Sequence, residues 1–138
     1  MVRDPAPPHR PGPRRGPPPG GGRPPAAPPS RRAADQLLEA VLELRRPLEE
    51  ALDAVQGIEA RDKAAAHRIA AMVLRRTGSL DAVLEPFLSR TPPAPAQRAL
   101  RIGAAELLLL GTAPHAAVAS AVALVPRPLA GLVNAVLR

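Results

Sequence analysis

The chain has 138 residues, no cysteine, and a formal net charge of +7. The missing cysteines exclude disulfide scaffolds, thiol nucleophiles and cysteine-ligated metal centres. The positive balance favours polyanionic partners, nucleic acid being the commonest. Three histidines, His9, His67 and His115, are too scattered to suggest a metal site. No catalytic residues, metal or cofactor are expected.

The first 29 residues hold twelve prolines, five glycines and five arginines and almost no large apolar side chain. They cannot offset the entropy of ordering, so a disordered Pro/Gly/Arg-rich tail is expected over 1–29. A single folded domain is expected over 30–138, long enough to bury one core. The sequence shows no secretory signal and no apolar run long enough for a membrane span, which predicts a soluble, cytoplasmic protein. Eighteen of the nineteen basic residues are arginine. Arginine suits phosphate contacts, although the same excess follows from a GC-rich coding sequence.

From Ser30 onward the apolar residues recur with a helical period. Ser30 is a candidate N-cap for a first helix with Ala34, Leu37, Leu38, Val41 and Leu42 on one face. A short helix from Pro47 to about Val55 follows, stopped by Gly57. The third runs from Ala60 to about Arg76, facing Ala66, Ile69 and Val73 inward, and ends at a turn through Thr77, Gly78 and Ser79. Ser79 then caps a fourth helix in which Leu80, Val83, Leu84, Phe87 and Leu88 fit the apolar template, with Pro86 as a possible kink. That template assigns Phe87 to the core.

After the proline-rich connector 91–95, Ala96 to Leu110 is apolar on nearly every side, as a helix surrounded by neighbours must be. Gly111 ends it, and Thr112 and Pro114 supply a candidate cap and first-turn proline for a sixth helix carrying Val118, Ala121 and Val122. Pro126 and Pro128 break that one. Leu129, Leu132, Val133, Val136 and Leu137 form a last helix up to Arg138, where the pattern stops without a cap, as at a domain boundary. The class is all-α, a bundle of six to seven helices.

Several strings in this order resemble the NusB family: Arg31-Arg32-Ala33-Ala34; Arg61-Asp62-Lys63 with Val73-Leu74-Arg75-Arg76 and Leu80-Asp81; Leu100 to Leu108; Pro114-His115-Ala116-Ala117-Val118; and Gly131 to Arg138. The resemblance implies a NusB-like, RNA-binding helical domain. The family includes a free-standing transcription antitermination factor, which acts with a small-subunit ribosomal protein, and the N-terminal domain of ribosomal RNA cytosine-C5 methyltransferases. Val73-Leu74-Arg75-Arg76 together with Pro114-His115-Ala116-Ala117-Val118 lies closer to the methyltransferase-associated branch. That branch implies an accessory domain positioning ribosomal RNA for a methyltransferase domain absent from this chain. A structural docking module against such a domain is a further alternative.

Arg31 and Arg32 fall in the first turn of the first helix, where the helix dipole disfavours cations unless an anion faces them. They are candidate phosphate contacts, strengthened by the family's basic start, or a continuation of the basic tail. Arg61, Arg68 and Arg75 recur every seven residues in one stripe beside the apolar face, either RNA-facing or simply solvated. Arg76 is a candidate contact or a helix-end cap. His115 suits capping or packing, Asn134 a structural role in the last helix, and Asp81 the N-terminus of the fourth helix. With Phe87 assigned to the core, no aromatic side chain is left for stacking bases, which leaves binding through the RNA backbone or docking of a neighbouring catalytic domain as the alternatives.

Overall fold

The computed structural model describes residues 26–138, in which seven α-helices and one 3-10 turn occur and no strand. The tail over 1–25 lies outside the described residues. The helices are α1 (Pro29–Leu42), α2 (Leu48–Ala54), α3 (Ala60–Arg75), α4 (Thr77–Leu84), α5 (Ala94–Leu108), α6 (Pro114–Ala123) and α7 (Arg127–Leu137), with the 3-10 turn at Glu85–Phe87 after α4. The fold begins earlier than the tail boundary at residue 29 suggested. Ala27 is buried, Pro28 caps α1, and Pro29 is its first residue.

Prolines, not hydroxyls, start these helices. None makes a side-chain N-cap hydrogen bond, and Ser30, Ser79 and Thr112 do not cap as expected. Instead Pro28 and Pro29, Pro47, Pro93 and Pro95, Pro114, and Pro126 and Pro128 flank or open α1, α2, α5, α6 and α7. Proline fixes φ near the helical value, and its missing N–H is harmless in the first turn, where no intrahelical partner exists. Ser30 lies inside α1, buried. The predicted turn at 77–79 is the first turn of α4, separated from α3 by Arg76 alone, and the Thr77 hydroxyl donates back to the Val73 carbonyl at 2.7 Å.

The helix α5 is the axis of the molecule. It packs against α1, α3, α4, α6 and α7, so its all-round apolar pattern reads correctly as central. One cluster consists of α1, α3 and α5, the other of α5, α6 and α7, with α2 on α1 and α4 on α5. Leu37 and Leu38 of α1, Ile69 and Val73 of α3, and Leu100 and Ile102 of α5 are fully buried. In the second cluster Gly103 allows a close approach. A Cβ there would lie 2.5 Å from Leu137 Cδ1 and 3.2 Å from Ala121 Cβ.

Candidate nucleic-acid interface

The two sets of predicted contacts lie on α1 and α3, which pack on each other. Within α3 the apolar side is formed by Ala66, Ile69, Ala70 and Val73, all buried, while Arg61, Arg68 and Arg75 are exposed. At 100° per residue the arginine stripe is centred about 150° from the middle of that buried face. It therefore points away from the core, not along its flank as the sequence suggested. Two heptad steps at about 1.5 Å per residue give the stripe a length of ~21 Å. Arg61 pairs with Glu59 at 3.2 Å, but both are open to solvent and such pairs stabilise little. Among the described residues Arg68, Arg75 and Arg76 make no ion pair. Arg76 stands exposed between α3 and α4, its backbone N–H closing the last turn of α3 on Met72 O.

On α1 the adjacent arginines part company. Arg32 is exposed, its guanidinium reaching the carbonyl of Ala27, and it has no acidic partner among the described residues. Arg31 turns inward to Glu106 of α5. Its Nε donates to Oε2 at 3.2 Å and its second nitrogen to Oε1, while Thr112 Oγ1 donates to the same Oε1 at 3.0 Å. Glu106 is only 1% exposed, so its carboxyl oxygens take their partners from this fork and not from water. The structure thus gives Arg31 an internal, structural partner and leaves Arg32 as the solvent-facing cation of the pair.

Three further ion pairs tie α1 and α4 to α5. Arg98 of α5, buried, donates from Nε to Asp35 at 2.8 Å and from a terminal nitrogen to Glu43. Burial pushes the Asp35 carboxyl above its ordinary range against the hydrogen bond and charge of Arg98, with Glu39 and Glu43 adding to the rise. For Arg98 burial acts to lower its pKa, and is outweighed by the hydrogen bonds and charges of Asp35 and Glu43, which raise it. Because Arg31 meets Glu106 and Asp35 meets Arg98, α1 and α5 run antiparallel. Arg101 forms a two-pronged pair with Asp81 at 2.8 and 2.8 Å. Asp81 is thus not at the helix N-terminus as expected. With α4 starting at Thr77 it lies a turn inside and ties α4 to α5.

Local periodicity could not reveal these pairs, since 75, 63 and 20 residues separate the partners. The signal was present only as charged residues, Arg98, Arg101 and Glu106, within a largely apolar central helix. His115 and Asn134 are both exposed and line a cleft between α6 and α7 with Leu107 and Val118. Phe87 is also misplaced by the sequence reading, being 63% exposed. The α-helix stops at Leu84, Pro86 continues in a 3-10 turn, and Leu88, in extended backbone, turns back onto the core in its place.

No set of three or more His, Asp or Glu residues that could hold a metal occurs among the described residues, and none of their helices is long and apolar enough to cross a membrane. Among solved structures the chain is similar to a crystal structure of the antitermination factors NusB and NusE in complex with dsRNA. The TM-score is 0.71 at 21% identity, with 79% of this chain and 90% of that chain covered. No curated protein matches it. The NusB family model matches residues 28–138, nearly the whole described structure. With seven helices in this arrangement and that match, the chain belongs to the NusB family.

Proposed function

We propose that this domain binds RNA through its backbone and positions ribosomal RNA for a cytosine-C5 methyltransferase domain carried outside this chain, acting in the cytoplasm without catalytic groups or a cofactor of its own. The observation that carries the reading is the outward stripe of Arg61, Arg68 and Arg75, followed by the exposed Arg76 at the head of α4, with Arg32 a separate exposed cation on α1. Arg31 contributes by holding the start of α1 in place through Glu106, not as a leading phosphate contact.

A rigid row of guanidinium groups ~21 Å long is suited to successive phosphates on a helical RNA, which proteins recognise chiefly by shape, phosphate and 2′-hydroxyl contacts. Each neutralised phosphate releases counterions, so affinity must fall steeply with salt. Titrating the chain with a ribosomal RNA fragment at rising salt tests this. Binding that weakens along a straight log–log line supports it, and the absence of binding, or binding indifferent to salt, overturns it.

A second reading is favoured by the similarity to the NusB and NusE complex, 90% of one chain of which this chain covers. It makes the protein a transcription antitermination factor that binds RNA together with a small-subunit ribosomal protein. Co-purification with that ribosomal protein in stoichiometric amount supports this second reading. Failure to associate, with RNA binding intact, supports the methyltransferase-accessory role.

A further inference from the structure

We propose that Phe87 is a stacking platform for one unpaired base of the bound RNA. It is the only aromatic residue of the chain, and it stands 63% exposed where the apolar pattern would have buried it. The backbone holds it there. Pro86 fixes the 3-10 turn from Glu85 to Phe87, and the N–H of Leu88 closes that turn on the Glu85 carbonyl at 3.0 Å. A planar side chain on a rigid turn loses little freedom when a flat ring lies on it.

The surroundings fit a base better than a protein. Protein-binding anchors lie at the centre of well-packed apolar patches, ringed by further contacts. Here the only other large apolar side chain exposed on α4 or its turn is Val83, at 47%. The neighbours Glu85, Ser89, Arg90 and Thr91 are polar and exposed. Arg90, three residues after Phe87, makes no ion pair among the described residues and is free to meet the phosphate of a stacked nucleotide. Phe87 does not itself line the cleft of about 500 Å³ beside this turn, but Ser89, Arg90, Thr91 and Gln97 do, along with Asp81 and Glu85, so polar donors and acceptors lie next to the stacking position. Roughly 18 Å of helix and turn separate Phe87 from Arg76, the end of the phosphate-binding stripe, a separation that one RNA spans. Stacking is sequence-tolerant and adds to backbone binding, so a single aromatic residue suffices to favour RNA that offers an unpaired base.

This inference rests on RNA binding by the α3 face, and the experiment separates the two. Wild-type protein, Phe87→Ala, Phe87→Leu and Phe87→Trp are titrated with a perfect RNA duplex and with the same duplex carrying a single bulged 2-aminopurine. The expected result is tighter binding of the bulged RNA by wild type, with a change in 2-aminopurine fluorescence on binding. Phe87→Ala and Phe87→Leu should weaken the bulged RNA roughly 5- to 100-fold and abolish the fluorescence change, while duplex affinity is unchanged and Phe87→Trp retains both. Equal binding of both RNAs by wild type and Phe87→Ala overturns the inference and leaves backbone binding intact. Loss of affinity for a protein partner with no change toward either RNA overturns it in favour of protein docking, and failure of wild type to bind any RNA removes it together with its foundation. Since Phe87 is outside the core, thermal melts of the variants should coincide with wild type.

Discussion

Removing Arg31 strands a buried charge. Glu106 is 1% exposed, and in Arg31→Ala its carboxylate keeps only the Thr112 hydroxyl as a side-chain partner. Breaking a buried pair by deleting one member costs about 3–5 kcal/mol. Arg31 itself retains 24% exposure, so water reaches part of the site and the low end, about 3 kcal/mol, applies. For a domain of this size 1 kcal/mol moves Tm by about 4 °C, giving a fall of about 12 °C. Urea denaturation followed by circular dichroism measures the loss directly, and Arg31→Met combined with Glu106→Leu should recover more than half of it, because no unpaired charge remains. A loss below about 0.5 kcal/mol for Arg31→Ala, the size of an ordinary surface substitution, would refute the reasoning. The functional consequence is that Arg31→Ala weakens RNA binding by loosening α1, so its deficit should shrink on cooling, whereas that of Arg32→Ala should persist in a protein of unchanged stability.

Four other outcomes follow from the geometry. Gly103→Ala places a methyl group 2.5 Å from Leu137 Cδ1, a side-chain end that can swing aside, and 3.2 Å from Ala121 Cβ; repacking against a helix-propensity gain of about 1 kcal/mol should leave a net loss below about 2 kcal/mol in a denaturant titration. Arg45 holds a left-handed backbone with φ of 57°, so Arg45→Gly should raise stability by about 0.5–1 kcal/mol in the same assay. Asp35 has a carboxyl raised by burial, so the folded state holds this proton more tightly than the unfolded chain. Its contribution to stability is then fully present below the ordinary value of 3.8 and is lost as pH rises through the higher folded value. Comparing the pH dependence of wild type with Asp35→Asn should isolate a component of that sign. The Asp81 and Arg101 pair ties α4 to α5 through two bonds of 2.8 Å, and Asp81→Ala should cost about 1–2 kcal/mol, with hydrogen exchange in α4 accelerated more than in α1.

How legible the molecule was depended on whether a feature was written locally. The helix α5 declared its central place because Leu100, Ile102, Gly103, Ala104 and Ala105 leave no polar face there. The α3 stripe was legible too, since a seven-residue spacing keeps Arg61, Arg68 and Arg75 in line whatever the fold does. Its direction was legible as well, since at about 100° per residue the stripe lies well over 100° from the face of Ala66, Ile69 and Val73, and placing it beside that face misread the helical geometry. Arg31 and Arg32 show where local reading stops. About 100° of helix rotation sends one to a carboxylate on α5 and the other to solvent, and that carboxylate lies 75 residues away. Phe87 was misread for a different reason. The 3.6-residue template was carried through Pro86, where the α-helix had already ended. At α1 the start was misassigned because Ser30 was preferred to Pro29, at α6 Pro114 was read correctly as a first-turn proline, and Pro126 and Pro128, read as breaking the sixth helix, open α7.

The central claim, that the outward face of α3 binds RNA phosphates, is tested most directly by the salt dependence of affinity in a variant with Arg61, Arg68 and Arg75 all changed to alanine. Each arginine that contacts a phosphate should reduce the slope of log affinity against log salt by about one unit. The account predicts a slope shallower by about three units, with an unchanged thermal melt, since all three side chains are exposed. A slope equal to that of wild type, in a variant that folds normally, would contradict it.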